Sequence, residues 1–91
     1  MIGIGNENWG PQYIERLAVF QKTINKKYPT IKLVGSTGVF DGEPFKYLDS
    51  TMRKMKIDFI DEHYYSRPEW FLSNATRYDS YDRTSSSKVF A

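Results

Sequence analysis

The chain has 91 residues, a formal net charge of +2, 16% aromatic residues and no cysteine. That length fits one small domain, and the composition excludes a disordered or low-complexity chain, a disulfide framework and a thiolate metal site. Lysines and acids are interspersed and no apolar run approaches the roughly 20 residues that cross a membrane, so neither nucleic acid nor membrane is expected as a partner. The first residues do not read as a signal peptide, and localisation stays open.

In chain order, Ile2-Gly3-Ile4-Gly5 reads as a buried strand, with Met1 standing before what looks like the middle of it. Its C-terminal end delivers Asn6-Glu7, then Trp9, then Gly10-Pro11, which is helix-start chemistry. Tyr13, Leu17, Phe20, Ile24 and Tyr28 then form one helical stripe that Pro29 ends. Lys26 and Lys27 read as its solvated end. Ile31 to Gly35 is a short strand, and Ser36 to Gly42 a loop closed by an Asp41-Gly42 turn. Pro44 opens a second helix with Phe45, Leu48, Met52 and Met55 facing a core and Asp49 and Arg53 paired four apart. Ile57 to Asp61 is a third strand running into Glu62-His63-Tyr64-Tyr65. A third helix follows from Pro68 with Phe71, Ala75 and Tyr78 on one side. Asp79 to Lys88 is a polar loop, and Val89-Phe90-Ala91 looks like the start of a fourth strand.

The order β-α-β-α-β-α-β leaves no room for tight hairpins, so the connections are crossovers and the sheet is parallel. The fold class is α/β. A parallel sheet is covered on both faces or closed into a barrel, and a (β/α)₈ barrel needs about 250 residues. The chain therefore reads as a βαβαβα slice of such a barrel, a partial domain over residues 1–91.

Catalytic side chains collect at the carboxyl ends of parallel strands. Three segments fall there: Asn6-Glu7 with Trp9, the Ser36-Thr37-Gly38 turn, and Glu62-His63-Tyr64-Tyr65. A carboxylate next to an amide and an indole points to sugar chemistry, and retaining glycoside hydrolysis needs two carboxyl groups about 5–5.5 Å apart. Glu7 can be one; Asp61 and Glu62 are the other acids near a rim. Residues 6–10 can equally be a polar turn with Asn8 as a cap, and Glu62 a rim salt bridge or helix-start acid. His63 lacks converging ligands, since Asp58, Asp61 and Glu62 crowd along one strand. Neither metal nor cofactor is expected. The Asn74-Ala75-Thr76 sequon sits inside a predicted helix and is read as incidental.

Gly5-Asn6-Glu7 with Trp9-Gly10, and Asp61-Glu62-His63-Tyr64-Tyr65 with Pro68-Glu69-Trp70-Phe71, resemble the α-L-arabinofuranosidases of glycoside hydrolase family 51. These are retaining enzymes of a (β/α)₈ clan. The resemblance covers essentially the whole chain and implies that it runs from strand four to the start of strand seven. It implies Glu7 as general acid/base, Asn6 on the sugar 2-hydroxyl, Trp9 on the leaving-group side, and His63 and Tyr65 beside the arabinose. Tyr65 would reach the nucleophile, and Tyr64 has only a packing role. The family's nucleophilic glutamate would follow Val89-Phe90-Ala91, so no nucleophile is expected in this chain and the isolated 91 residues are expected to be inactive. The expected substrate is an arabinose-containing oligo- or polysaccharide. Another glycosidase of the same clan (a xylanase or endoglucanase) and a non-catalytic sugar-binding or assembly module are the alternatives. A barrel slice leaves sheet edges unpaired, so self-association of the chain is expected, with a homo-oligomeric parent left open.

Overall fold

A computed structural model describes residues 1–6, 10–38 and 42–90. Four strands, β1 (Ile2–Ile4), β2 (Leu33–Ser36), β3 (Phe59–Asp61) and β4 (Lys88–Phe90), form one sheet. Its spatial order follows the sequence, β1-β2-β3-β4, and every pairing is parallel. Helices α1 (Pro11–Lys27), α2 (Glu43–Lys54) and α3 (Pro68–Ser73) occupy the crossovers, and a 3₁₀ turn over Arg77–Ser80 follows α3. Among the described residues no helix is long and apolar enough to cross a membrane.

Both long helices pack on one face of the sheet. A Cβ built on Gly35 of β2 would meet Met52 of α2 and Leu17 of α1 together, so both helices cross over that point. Tyr13, Leu17, Leu48, Met52, Ile57 and Ile60 form the core, with Ile4 and Val89 packed against it. The register sets Ile4 beside Gly35, Gly35 beside Ile60 and Ile60 beside Val89, so one row across the sheet supports the helices. Strand alternation puts Val34, Phe59 and Asp61 on the other face.

Pro11 takes the first position of α1, where its missing N–H costs nothing. The cap before it is Gly10, at φ 87, a left-handed conformation that a residue without Cβ adopts freely. Asn8, the cap expected from the sequence, lies outside the described residues. The buried face of α1 is turned from the predicted stripe: Tyr13 and Leu17 are buried, but Phe20 and Tyr28 are exposed. The reason is Gln21, whose amide donates 2.7 Å to the Met55 carbonyl past the end of α2. That bond commits the Gln21 side of the helix to α2 and leaves Phe20 outside. On α2 the predicted stripe is the observed one, with Phe45, Leu48 and Met52 buried. The predicted Asp49–Arg53 pair is present as well, Arg53 Nε lying 3.1 and 3.0 Å from the two Asp49 oxygens.

The third helix is shorter than its apolar spacing predicts. It ends at Ser73 and buries no residue. The Trp70 carbonyl there accepts from Ser73 Oγ at 3.0 Å and Asn74 Nδ2 at 2.8 Å. Such side chains offer the backbone an alternative to the next helical turn. Tyr78 is thus carried into the 3₁₀ turn.

Candidate functional site

Parallel pairing sends the C-terminal ends of all four strands to one edge. Adjacent strands lie about 4.8 Å apart, so the exits of β1 and β3 are separated by roughly 10 Å with β2 between them. Asn6 is exposed just beyond β1, and the segment Asp61–Tyr65 leaves β3 on the same edge. Glu7 and Trp9, the other two site residues expected on the β1 segment, lie outside the described residues, as does Asp41 of the predicted turn.

Past β3 the chain continues in an extended zigzag, and i,i+2 side-chain bonds record it. His63 Nε2 lies 2.7 Å from Asp61 Oδ2, both side chains being about three-quarters covered. Tyr64 donates its hydroxyl 2.6 Å to Glu62 Oε2. Asp61 and His63 therefore point one way, and Glu62 with Tyr64 the other. The second direction is the α2 side: the Tyr64 ring is 6.3 Å from Phe45, and Tyr81, which donates 2.9 Å to Glu62 Oε1, has its ring 5.5 Å from the Arg53 guanidinium. Tyr65 is exposed at 74%.

Glu62 is consequently neither a rim salt bridge nor a helix-start acid. It is 1% exposed and held between tyrosine hydroxyls. Burial raises Tyr64, Tyr78 and Tyr81 above the ordinary tyrosine range, and the Glu62 carboxylate adds to it because a tyrosinate would face a like charge. Tyr78 is pushed up to about 12. Arg77 lies over the Phe45 and Tyr64 rings at 5.0 and 4.9 Å and supplies a positive charge beside the cluster. A carboxylate so enclosed cannot attack a sugar, and Tyr64 is a hydrogen-bond donor rather than a packing residue only. Tyr81 lies in a stretch that reads from sequence as a polar loop, and Tyr78 reads only as one side of the third helix, so neither is expected at Glu62. The acids do not converge: Asp58 accepts from the Leu33 N–H at 2.9 Å at the opposite end of the strands. Among the described residues no group of three potential ligands is placed to hold a metal.

The Ser36-Thr37-Gly38 turn also proves to be a brace. Ser36 and Thr37 are 3% and 2% exposed. Thr37 donates its N–H and hydroxyl to the Asp61 carbonyl at 3.1 and 3.3 Å, and Ser36 Oγ accepts from Gly38 N–H at 3.2 Å. On its other side, the Ser36 N–H donates 2.9 Å to the Tyr13 hydroxyl, which itself donates 2.7 Å to the Ile4 carbonyl. A run of bonds thus ties the β1 exit to β2 and β2 to β3.

Comparison with known proteins shows a family. Residues 1–83 match the family described as alpha-L-arabinofuranosidase 1 domain. The chain is 40% identical over 82 residues to an extracellular exo-alpha-L-arabinofuranosidase of Streptomyces chartreusis, covering 88% of this chain and 10% of that protein. The chain thus spans about a tenth of the length of the relative it matches. No solved structure matches.

Proposed function

Because the chain belongs to the alpha-L-arabinofuranosidase 1 domain family, we propose that it is part of the catalytic domain of a retaining glycosidase that releases terminal α-L-arabinofuranosyl groups from arabinose-containing polysaccharides. The domain is a (β/α)₈ barrel of the family 51 type, of which these residues form about strands four to the start of seven. The observation that carries the proposal is the sheet itself. Four parallel strands in sequential order, with both long helices on one face, turn Asp61 and His63 toward the other face at the edge where Asn6 emerges.

Glu7 is the general acid/base. It protonates the departing glycosidic oxygen and, after the sugar has bonded to the nucleophile, takes a proton from the incoming water. Asn6 binds the sugar 2-hydroxyl, a contact that strengthens as positive charge develops at the anomeric carbon. Trp9 walls the leaving-group side. His63, held by Asp61, and Tyr65 flank the arabinose. The nucleophile lies outside these residues, so the isolated chain does not turn over. The test is hydrolysis of aryl and oligosaccharide α-L-arabinofuranosides by the full-length enzyme, with the anomer of the product followed by NMR. Retention, with activity lost in Glu7→Ala, is expected. Inversion, full activity of Glu7→Ala, or turnover by the isolated 91 residues would each refute the reading.

A further inference from the structure

We propose that Tyr13 is a positioning residue for the acid/base segment, its hydroxyl fixing where the chain leaves β1. The inference rests on the assignment of Glu7 above. Tyr13 lies in the first turn of α1, the helix that follows the segment, and its hydroxyl reaches back nine residues to the carbonyl of Ile4, the last residue of β1. One oxygen therefore joins the strand before Asn6-Glu7 to the helix after it.

The same oxygen accepts from Ser36 N–H. In the observed register Ile4 pairs with Gly35, which makes the Ile4 carbonyl and the Ser36 N–H facing groups at the last rung of the β1–β2 ladder. Tyr13 bonds both, so the rung is clamped from the helix side. Immediately beyond it Gly5 turns out of the strand at φ 79.

Packing alone does not ask for this hydroxyl. The helical stripe at position 13 requires an apolar ring, and phenylalanine would supply it without the cost of desolvating an O–H. Tyr13 is 8% exposed, and its single proton is committed: donating to Ile4 leaves the oxygen only its lone pairs for Ser36. Burial raises the group above the ordinary tyrosine range, so the polarity of the clamp does not change across neutral pH. The geometry holds the root of the Asn6-Glu7 segment against β2, and through Thr37 against the β3 exit that carries His63.

An acid must meet the glycosidic oxygen within hydrogen-bond reach, and a misplacement of about 1 Å can cost up to 10²-fold. The test is a leaving-group series on the full-length enzyme, since only poor leaving groups need the proton. In Tyr13→Phe, kcat/KM for an alkyl or xylosyl arabinofuranoside is expected to fall at least about tenfold, and that for a dinitrophenyl arabinofuranoside to change less than about twofold. Leu17→Ala, a core change one turn along α1, lowers Tm but leaves the ratio between the two substrates unchanged. An equal loss on both substrates in Tyr13→Phe, or a lower Tm with the ratio intact, would overturn the proposal and leave Tyr13 a core residue. Glu7→Gln is measured beside it. If that variant shows no leaving-group dependence, the acid/base assignment itself is wrong and the Tyr13 proposal falls with it; if it does and Tyr13→Phe does not, only the Tyr13 proposal falls.

Discussion

A single methyl at Gly35 probes the packing that sets the strand exits. Its Cβ would lie 2.5 Å from Met52 Sδ and 3.5 Å from both Ile57 Cγ2 and Leu17 Cδ2. Non-bonded atoms prefer about 3.5–4.0 Å, so the sulfur would have to retreat by about 1 Å or more. Met52 is flexible, but Met52 and Leu17 are 0% and Ile57 1% exposed, so the shift has to be absorbed within the core. Overpacking of this kind costs about 1–3 kcal/mol. Gly35 is not among the residues at positive φ, so the backbone accepts alanine and the stiffer unfolded chain returns about 0.4–1 kcal/mol. The net expectation for Gly35→Ala is a loss of about 1–2 kcal/mol. Met52→Ala alone should cost about 2–5 kcal/mol by leaving a cavity. In the double variant the new methyl fills part of that cavity, so the two losses should fall short of their sum by about 1 kcal/mol or more. Urea unfolding followed by far-UV circular dichroism measures all four corners of the cycle. Additivity within about 0.5 kcal/mol, or a neutral Gly35→Ala, would refute the close approach of α2 to β2.

The Glu62 cluster makes a second prediction: Tyr64→Phe and Tyr81→Phe each remove a hydrogen bond to a carboxylate and should each destabilise by about 1.5–3 kcal/mol. Unfolding midpoints within experimental error of the unsubstituted chain would sink it. A third concerns alkaline pH. Tyr78 is raised to about 12, and Tyr13, Tyr64 and Tyr81 are raised too, so above the ordinary tyrosine value the folded state holds protons that the unfolded state gives up. Their contribution is complete below about pH 10 and is lost as pH climbs through 12. Tyrosinate absorbance should therefore show a late-titrating subset that ionises together with loss of the dichroism signal; seven tyrosines titrating alike with the fold intact would contradict it. The fourth is that the isolated chain self-associates, because β1 and β4 are both sheet edges and Ile2 and Gly3 on β1 are exposed. Light scattering that reports a monomer across concentrations would count against it.

The elements themselves were legible because their signals are local. Pro11 and Pro44 start the two long helices, the Phe45–Leu48–Met52 spacing gives the buried face of α2, and short β-rich runs give the strands. What escaped was decided by partners distant in sequence. Phe20 and Gln21 are neighbours on one helix, and periodicity alone favours Phe20 for the interior. Only the Met55 carbonyl, 34 residues away, makes Gln21 the better choice. Tyr13 reads as one more apolar position because a stripe reports the ring and says nothing of the hydroxyl. The third helix fails for the opposite reason: Phe71 and Tyr78 have helical spacing, but no core waits for them, and Ser73 and Asn74 take the Trp70 carbonyl.

The acids around β3 show how a strand sorts chemistry before any catalytic role is assigned. Asp61 and Glu62 are adjacent, equal in charge, and both near the rim, so composition cannot rank them. Extended backbone sends them to opposite faces. Glu62 falls on the helix side, where a lone carboxylate would be costly, and the sequence meets that cost with tyrosines at 64 and 81 and an arginine at 77. Asp61 falls on the other face and takes His63. A one-residue shift in this register would exchange the two environments, burying Asp61 and His63 under α2 and turning Glu62 with Tyr64 outward. The Thr37 bonds to the Asp61 carbonyl and the β2–β3 pairing of Ser36 with Asp61 fix the register that prevents it. The buried braces and the β3 exit are in that sense one design: the β2 rim segment determines which side chains of β3 face away from the helices.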